Sequence, residues 1–201
     1  MPNLANRSSP ETQKAMRCKI HDLIQEKLSG DVLKDFEAFL DFLKEEKINT
    51  PWERFGYEGI HTFCIKHKGQ HIGQIGFLND ENHVRIQVIA EWSNFDSYVE
   101  GQPVEVIDML MERLSYTCIH CRPGWDCEKN SGWTRKLAGK QYENRCSHMS
   151  TYRFISGDMN TFTLYTPIFR QPQESVGEFP LETVKKLILA RKAYIAKTAA
   201  K

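Results

Sequence analysis

Four of the six cysteines, Cys118, Cys121, Cys127 and Cys146, fall within 29 residues in the spacing C-x2-C-x5-C-x18-C, and His148 follows the last by two places. Zinc prefers four tetrahedral thiolate or imidazole ligands, and a C-x2-C turn lets two sulfurs approach one ion while backbone N–H groups stabilise their charge. Arg122, Pro123 and Gly124 fit a tight knuckle turn beside the first pair. These four cysteines are expected to hold one structural Zn2+, with His120 or His148 as the alternative for one thiolate. Four closed ligands leave no open position for water, so the ion is expected to brace the chain and not to catalyse. A redox dithiol fits less well, because C-x2-C follows a predicted helix C-terminus, the end that does not lower a thiol pKa. Cys18, on a predicted helix, and Cys64, on a predicted core strand face, read as buried packing residues whose replacement leaves metal content unchanged.

No H-E-x-x-H, P-loop, dinucleotide glycine fingerprint, deaminase pair or G-x-S-x-G elbow occurs in the chain. An enzyme reading therefore has no named motif behind it. The cysteine segment does carry Arg122, Lys129, Arg135, Lys136, Lys140 and Arg145 among Trp125, Trp133 and Tyr142. Such a composition can track phosphates and stack bases, which makes nucleic-acid binding an alternative function. Tryptophans beside a zinc knuckle more often cover the metal, and Asp126, Glu128 and Glu143 dilute the basic character.

His61, His67, His71 and His83 lie in a stretch of period-two hydrophobicity running from Ile60 to Ala90. With Lys68-Gly69 as a two-residue turn and residues 79–82 as a loop, that stretch reads as a three-stranded antiparallel meander. The simplest register puts Ile60, Thr62, Cys64, Ile75, Phe77, Val84, Ile86 and Val88 on a core face. His61, His83 and Arg85 then share the opposite face with Phe63, Ile65, Ile72 and Gln74. Imidazole, guanidinium and amide donors around apolar side chains would floor a groove for a small polar or anionic ligand, or, as the second alternative, for enzyme chemistry.

Helices must frame that sheet. Pro10 to Leu28 carries Met16, Ile20, Leu23, Ile24 and Leu28 at helical spacing, stopped by Gly30. A second helix capped by Asp31 presents Val32, Phe36, Phe39, Leu40 and Leu43 as one stripe. A third starts at Pro103 with Val104, Ile107, Met111 and Leu114, and a last begins at Pro180 with Leu181, Val184, Leu187, Ile188 and Tyr194 on its apolar side. Thr151–Ser156 and Thr161–Thr166, separated by Gly157-Asp158-Met159-Asn160, read as a second hairpin.

The chain has 201 residues, 27 Lys+Arg against 26 Asp+Glu, and a hydrophobic fraction of 40%, enough for a folded core and too apolar for disorder. The near-neutral sum hides an asymmetry: residues 1–50 hold 8 basic and 9 acidic groups, 51–117 hold 5 and 10, and 118–201 hold 14 and 7. Acidic and basic parts of one chain attract each other as readily as they attract partners. No run approaches the roughly 18 apolar residues of a membrane span. The polar stretch Met1 to Ser9 does not read as a secretory signal, so a cytoplasmic setting without membrane attachment is expected, where thiols stay reduced.

The expectation is thus an α+β protein, one domain over 1–201. It has a helical part at 9–47, a sheet and metal-closed Cys-loop part at 58–169 and a C-terminal helix at 180–197. Its expected function is that of a zinc-stabilised binding module for a small molecule or protein partner. If the four-cysteine site exists, stripping its metal lowers the melting temperature and loosens residues 117–150. Cys146→Ala is the sharpest check, since it opens the long loop and spares the C-x2-C turn; unchanged metal content and stability in that variant defeats the assignment.

Overall fold

A computed structural model of the chain describes residues 10–55, 61–77, 83–89, 99, 101–115, 133–145, 151–165 and 175–199. It is α+β, as the periodicities require. The chain falls into two compact units, residues 1–87 with 155–161, and residues 88–154 with 162–201.

The first unit opens with α1 (Pro10–Ala15), α2 (Ile20–Lys27) and α3 (Gly30–Glu45). One helix was expected up to Leu28, but residues 16–19 interrupt it. Nothing in α1 is buried and Met16 is 41% exposed, so no packing holds that turn in line with α2, and a short helix without tertiary contacts is marginal. The stripe of α3 behaves as its spacing predicts: Phe36, Phe39, Leu40 and Leu43 are buried.

Four strands follow, β1 (Trp52–Phe55), β2 (His61–His67), β3 (Gln70–Phe77) and β4 (Val84–Ile89), in an antiparallel sheet in chain order. Lys68 and Gly69 both take positive φ, 49° and 79°, the backbone of the two-residue hairpin turn expected from Lys68-Gly69. Glycine is at ease there and marks the turn. His67 pairs with Gln70 and Lys66 with His71, as that turn dictates, but the next pair is Ile65 with Gly73. Ile72 is an extra residue, a β-bulge, and it shifts everything beyond it by one place.

The shift changes which side chains make the core. Phe63 now faces Ile75 and His61 faces Phe77. Phe63, Ile65, Ile75 and Phe77 are all buried, with Phe77 edge-on to Phe36 at 5.4 Å and to Phe63 at 6.1 Å. The simple alternation placed Phe63 and Ile65 on a groove face; the bulge instead puts Ile75 and Phe77 on the same face as Phe63, which makes that face core. Cys64 is left on the other face, opposite Gln74.

The second unit holds α4 (Val104–Ser115), β5 (Trp133–Leu137), β6 (Lys140–Arg145), β7 (Thr151–Ser156), β8 (Thr161–Tyr165), β9 (Ser175–Pro180) and α5 (Leu181–Thr198), except that residues 155–161 cluster with the first unit. Strands β5 and β6, expected as loop, form a hairpin across Ala138 and Gly139, again with positive φ at both. It is tied to α4 by Asp108, which accepts hydrogen bonds from Lys140 Nζ and Tyr142 Oη at 2.7 Å each. Those two donors hold the Asp108 carboxyl below its ordinary pKa. Helix α5 buries Val184, Leu187, Ile188, Arg191 and Ile195; Tyr194, expected on this side, instead carries the Arg191 guanidinium over its ring at 5.2 Å.

Phe36 sits where α3 meets the sheet and has no exposed surface. Phe36→Ala should cost about 3–5 kcal/mol, read as a lowered denaturant midpoint. A loss below about 1 kcal/mol would mean that the helix and sheet do not share this core.

Candidate metal centre

Strand β2 is the middle strand of the three that build the site, and Cys64 is the middle residue of β2. Its backbone N–H donates to the Pro51 carbonyl at 2.9 Å, at the entry to β1, and its side chain is 2% exposed. On the β1 side the register runs from Trp52 opposite Phe63 to Arg54 opposite Thr62, so Glu53 is one residue too many. On the β3 side the extra residue is Ile72. Both neighbours of β2 are therefore bulged close to Cys64. Bulges re-aim side chains, and here they bring Glu53 from one strand and His71 from the other to the sulfur.

The carboxylate of Glu53, the thiol of Cys64 and the imidazole of His71 lie with their ligand atoms all within 4.8 Å of one another, and could hold a metal ion. Zinc bonds at about 2.0–2.3 Å would put tetrahedral ligands roughly 3.3–3.8 Å apart. The observed spacing needs a closure on the order of one ångström, within reach of a small rotation of the Glu and His side chains. Gln74, the cross-strand partner of Cys64, donates from Nε2 to Glu53 Oε2 at 2.6 Å. Such an outer contact fixes the carboxylate's orientation.

Electrostatics keep the thiol protonated when no cation is there. Burial pushes the Cys64 pKa up, the charge and hydrogen bond of Glu53 push it further, and the Lys66 ammonium beside it pulls back, leaving it at about 11. A divalent ion would invert this balance, since it would replace the thiol proton and attract the carboxylate.

The other cysteine and histidine contacts are elsewhere. Cys18 Sγ lies 3.6 Å from His61 Nδ1, and Trp52 Nε1 donates to the same nitrogen at 3.4 Å. That contact makes Nδ1 an acceptor and leaves the ring proton on Nε2. Burial, then Lys27, lowers the His61 pKa; burial, then Asp22 and Glu26, raises that of Cys18. The pair is thus neutral. His83 stands over the β7–β8 turn, its Nε2 3.4 Å from where a Cβ on Gly157 would be. Arg85 is half-buried on β4. His61 on β2 and His83 at the entry to β4 have β3 between them, a lateral separation of roughly 9–10 Å. Cys118, Cys121, Cys127 and Cys146, with His120 and His148, lie outside the described residues.

Sequence reasoning assigned Cys64 to core packing alone and gave Glu53 and His71 no ligand role, because no short motif joins residues from three strands; the structure places all three in one group that could hold an ion. One signal was present: Gly73 inside a strand pattern, a residue that often marks a bulge.

The raised thiol pKa has a pH consequence. The folded chain holds this proton more tightly than the unfolded chain, so the linked stability is complete below the ordinary value of 9.0 and is lost as pH rises through about 11. In chelator-treated protein, the stability difference between wild type and Cys64→Ser should shrink over that interval, and Glu53→Gln should weaken the dependence. A difference that stays flat with pH would contradict the thiol–carboxylate contact.

No protein-family model matches the chain, and neither does a curated protein or a solved structure. The functional reading therefore rests on the geometry around Cys64.

Proposed function

We propose that this protein is a zinc-binding module, with Glu53, Cys64 and His71 as protein ligands, that recognises a small polar or anionic molecule. The observation that carries this reading is the convergence of three different ligand types, from three strands, on one buried thiol.

Sulfur with imidazole is a poor set for magnesium or calcium, which take oxygen ligands, and suits zinc among the common divalent ions. Three protein ligands is the pattern of zinc sites that keep a coordination position open. Glu53 and His71 are half-buried while Cys64 is buried, so the approach to the ion is from the Glu53 and His71 side. Among the described residues no helix is long and apolar enough to cross a membrane. The four-cysteine site of residues 118–146 is proposed alongside this one, as a separate structural ion.

Stoichiometry distinguishes the two. By elemental analysis of the full chain, Cys64→Ala and His71→Ala should each lose one zinc equivalent relative to wild type, and Cys18→Ala none. Gln74→Ala should keep the ion but weaken its affinity about 10- to 100-fold. Full zinc content in both Cys64→Ala and His71→Ala would defeat the proposal, whatever Cys146→Ala does.

A further inference from the structure

The ligand face of the sheet holds a cation as well as three donors. Lys66 lies two residues from Cys64 on β2, so alternation puts both on one face, and Lys66 is the cross-strand partner of His71. Cys64, His71, Lys66 and Gln74 thus form a two-by-two patch across β2 and β3, with Glu53 reaching it from β1.

Charge decides what such a patch attracts. A divalent ion with one thiolate, one carboxylate and one neutral imidazole is electrically neutral. Lys66 then makes the assembled patch net positive by one. Lysine has three donors and no acceptor, so it can hydrogen-bond the Cys64 sulfur and still offer a proton to a neighbour. Lys66, Glu53 and His71 are all partly open to solvent.

We infer that the open coordination position takes a small oxyanion, a phosphate or a carboxylate group, with one oxygen on the metal and another accepting a hydrogen bond from Lys66. This rests on the zinc reading above and adds to it the ligand class and the residue that selects it. The two contacts differ in kind. The metal supplies affinity for any donor atom, whereas a charge-assisted hydrogen bond from Lys66 favours an anion with a second oxygen over water or a neutral ligand. Gln74 serves this arrangement indirectly, by orienting the Glu53 carboxylate with its own amide.

Cobalt-substituted full-length protein tests both layers. A thiolate-to-cobalt charge-transfer band that is present in wild type and reduced in Cys64→Ala places the metal on Cys64; a band independent of Cys64 overturns the zinc reading. Inorganic phosphate and acetate are then titrated separately while the visible d–d bands are followed. A saturable change with either probe, lost in Cys64→Ala, is the expected result, and the probe that acts identifies the group. A spectrum that neither probe moves, with the Cys64-dependent band intact, overturns the inference and leaves the metal site standing. Lys66→Met should keep the charge-transfer band and weaken anion binding about ten- to a hundredfold, with Lys66→Arg recovering most of it. Equal anion affinity in wild type and Lys66→Met removes Lys66 from the site.

Discussion

The pairing of β2 with its two neighbours is the constraint on which the rest of the first unit depends. A strand alternates faces with period two, so a single extra residue exchanges everything beyond it between core and surface. Ile72 is such a residue, and its insertion puts Ile75 opposite Phe63 and lets Phe77 meet both Phe36 and Phe63, while Cys64 keeps a polar neighbourhood. Glu53 does the same on β1, where Trp52 aligns with Phe63 and the carboxylate is spared for the opposite side. The aromatic core and the candidate metal centre are two consequences of one register.

Burial and charge then set what the centre does. A buried thiol beside a carboxylate favours its neutral form, since burial and the neighbouring negative charge both oppose the thiolate. Glu53 adds to that preference and Lys66 subtracts from it, so the three groups are balanced around one proton. A cation of higher charge would displace the proton and satisfy the thiolate and the carboxylate together. The same low dielectric that opposes a lone charge strengthens a compensated set. Gln74 contributes no charge, but its 2.6 Å hydrogen bond limits where the Glu53 carboxylate can point.

The second unit uses polar contacts for another end. Asp108 gathers Lys140 and Tyr142 on its carboxylate and fixes the β5–β6 hairpin to α4. Close packing finishes the task at β9, where a Cβ on Gly177 would stand 2.8 Å from Met109 Sδ, too near for any larger residue without displacement of the methionine. These contacts tie hairpin and strand to the helix within the unit, and they gather no set of metal-ligating atoms among the described residues.

Local chemistry sufficed for the elements. The spacing of Phe36, Phe39, Leu40 and Leu43 specifies α3, Lys68-Gly69 specifies the β2–β3 turn, and Val104 to Leu114 specifies α4, because periodicity, caps and turn preferences act over a few residues. The α+β class follows from the same signals. Ala138-Gly139 carried a comparable signal for the β5–β6 hairpin, obscured by the polar, cysteine-rich surroundings. The candidate centre needed more: Cys64 looks like a core residue by alternation alone, and only the bulges at Glu53 and Ile72 reassign its neighbours. A bulge is chosen by the packing of whole faces, Phe77 against Phe36 and Phe63 among them, and no local pattern contains that energy. Sequence therefore determined which strands and helices exist, while tertiary packing decided which residues of those strands meet, and with them which side chains can share an ion.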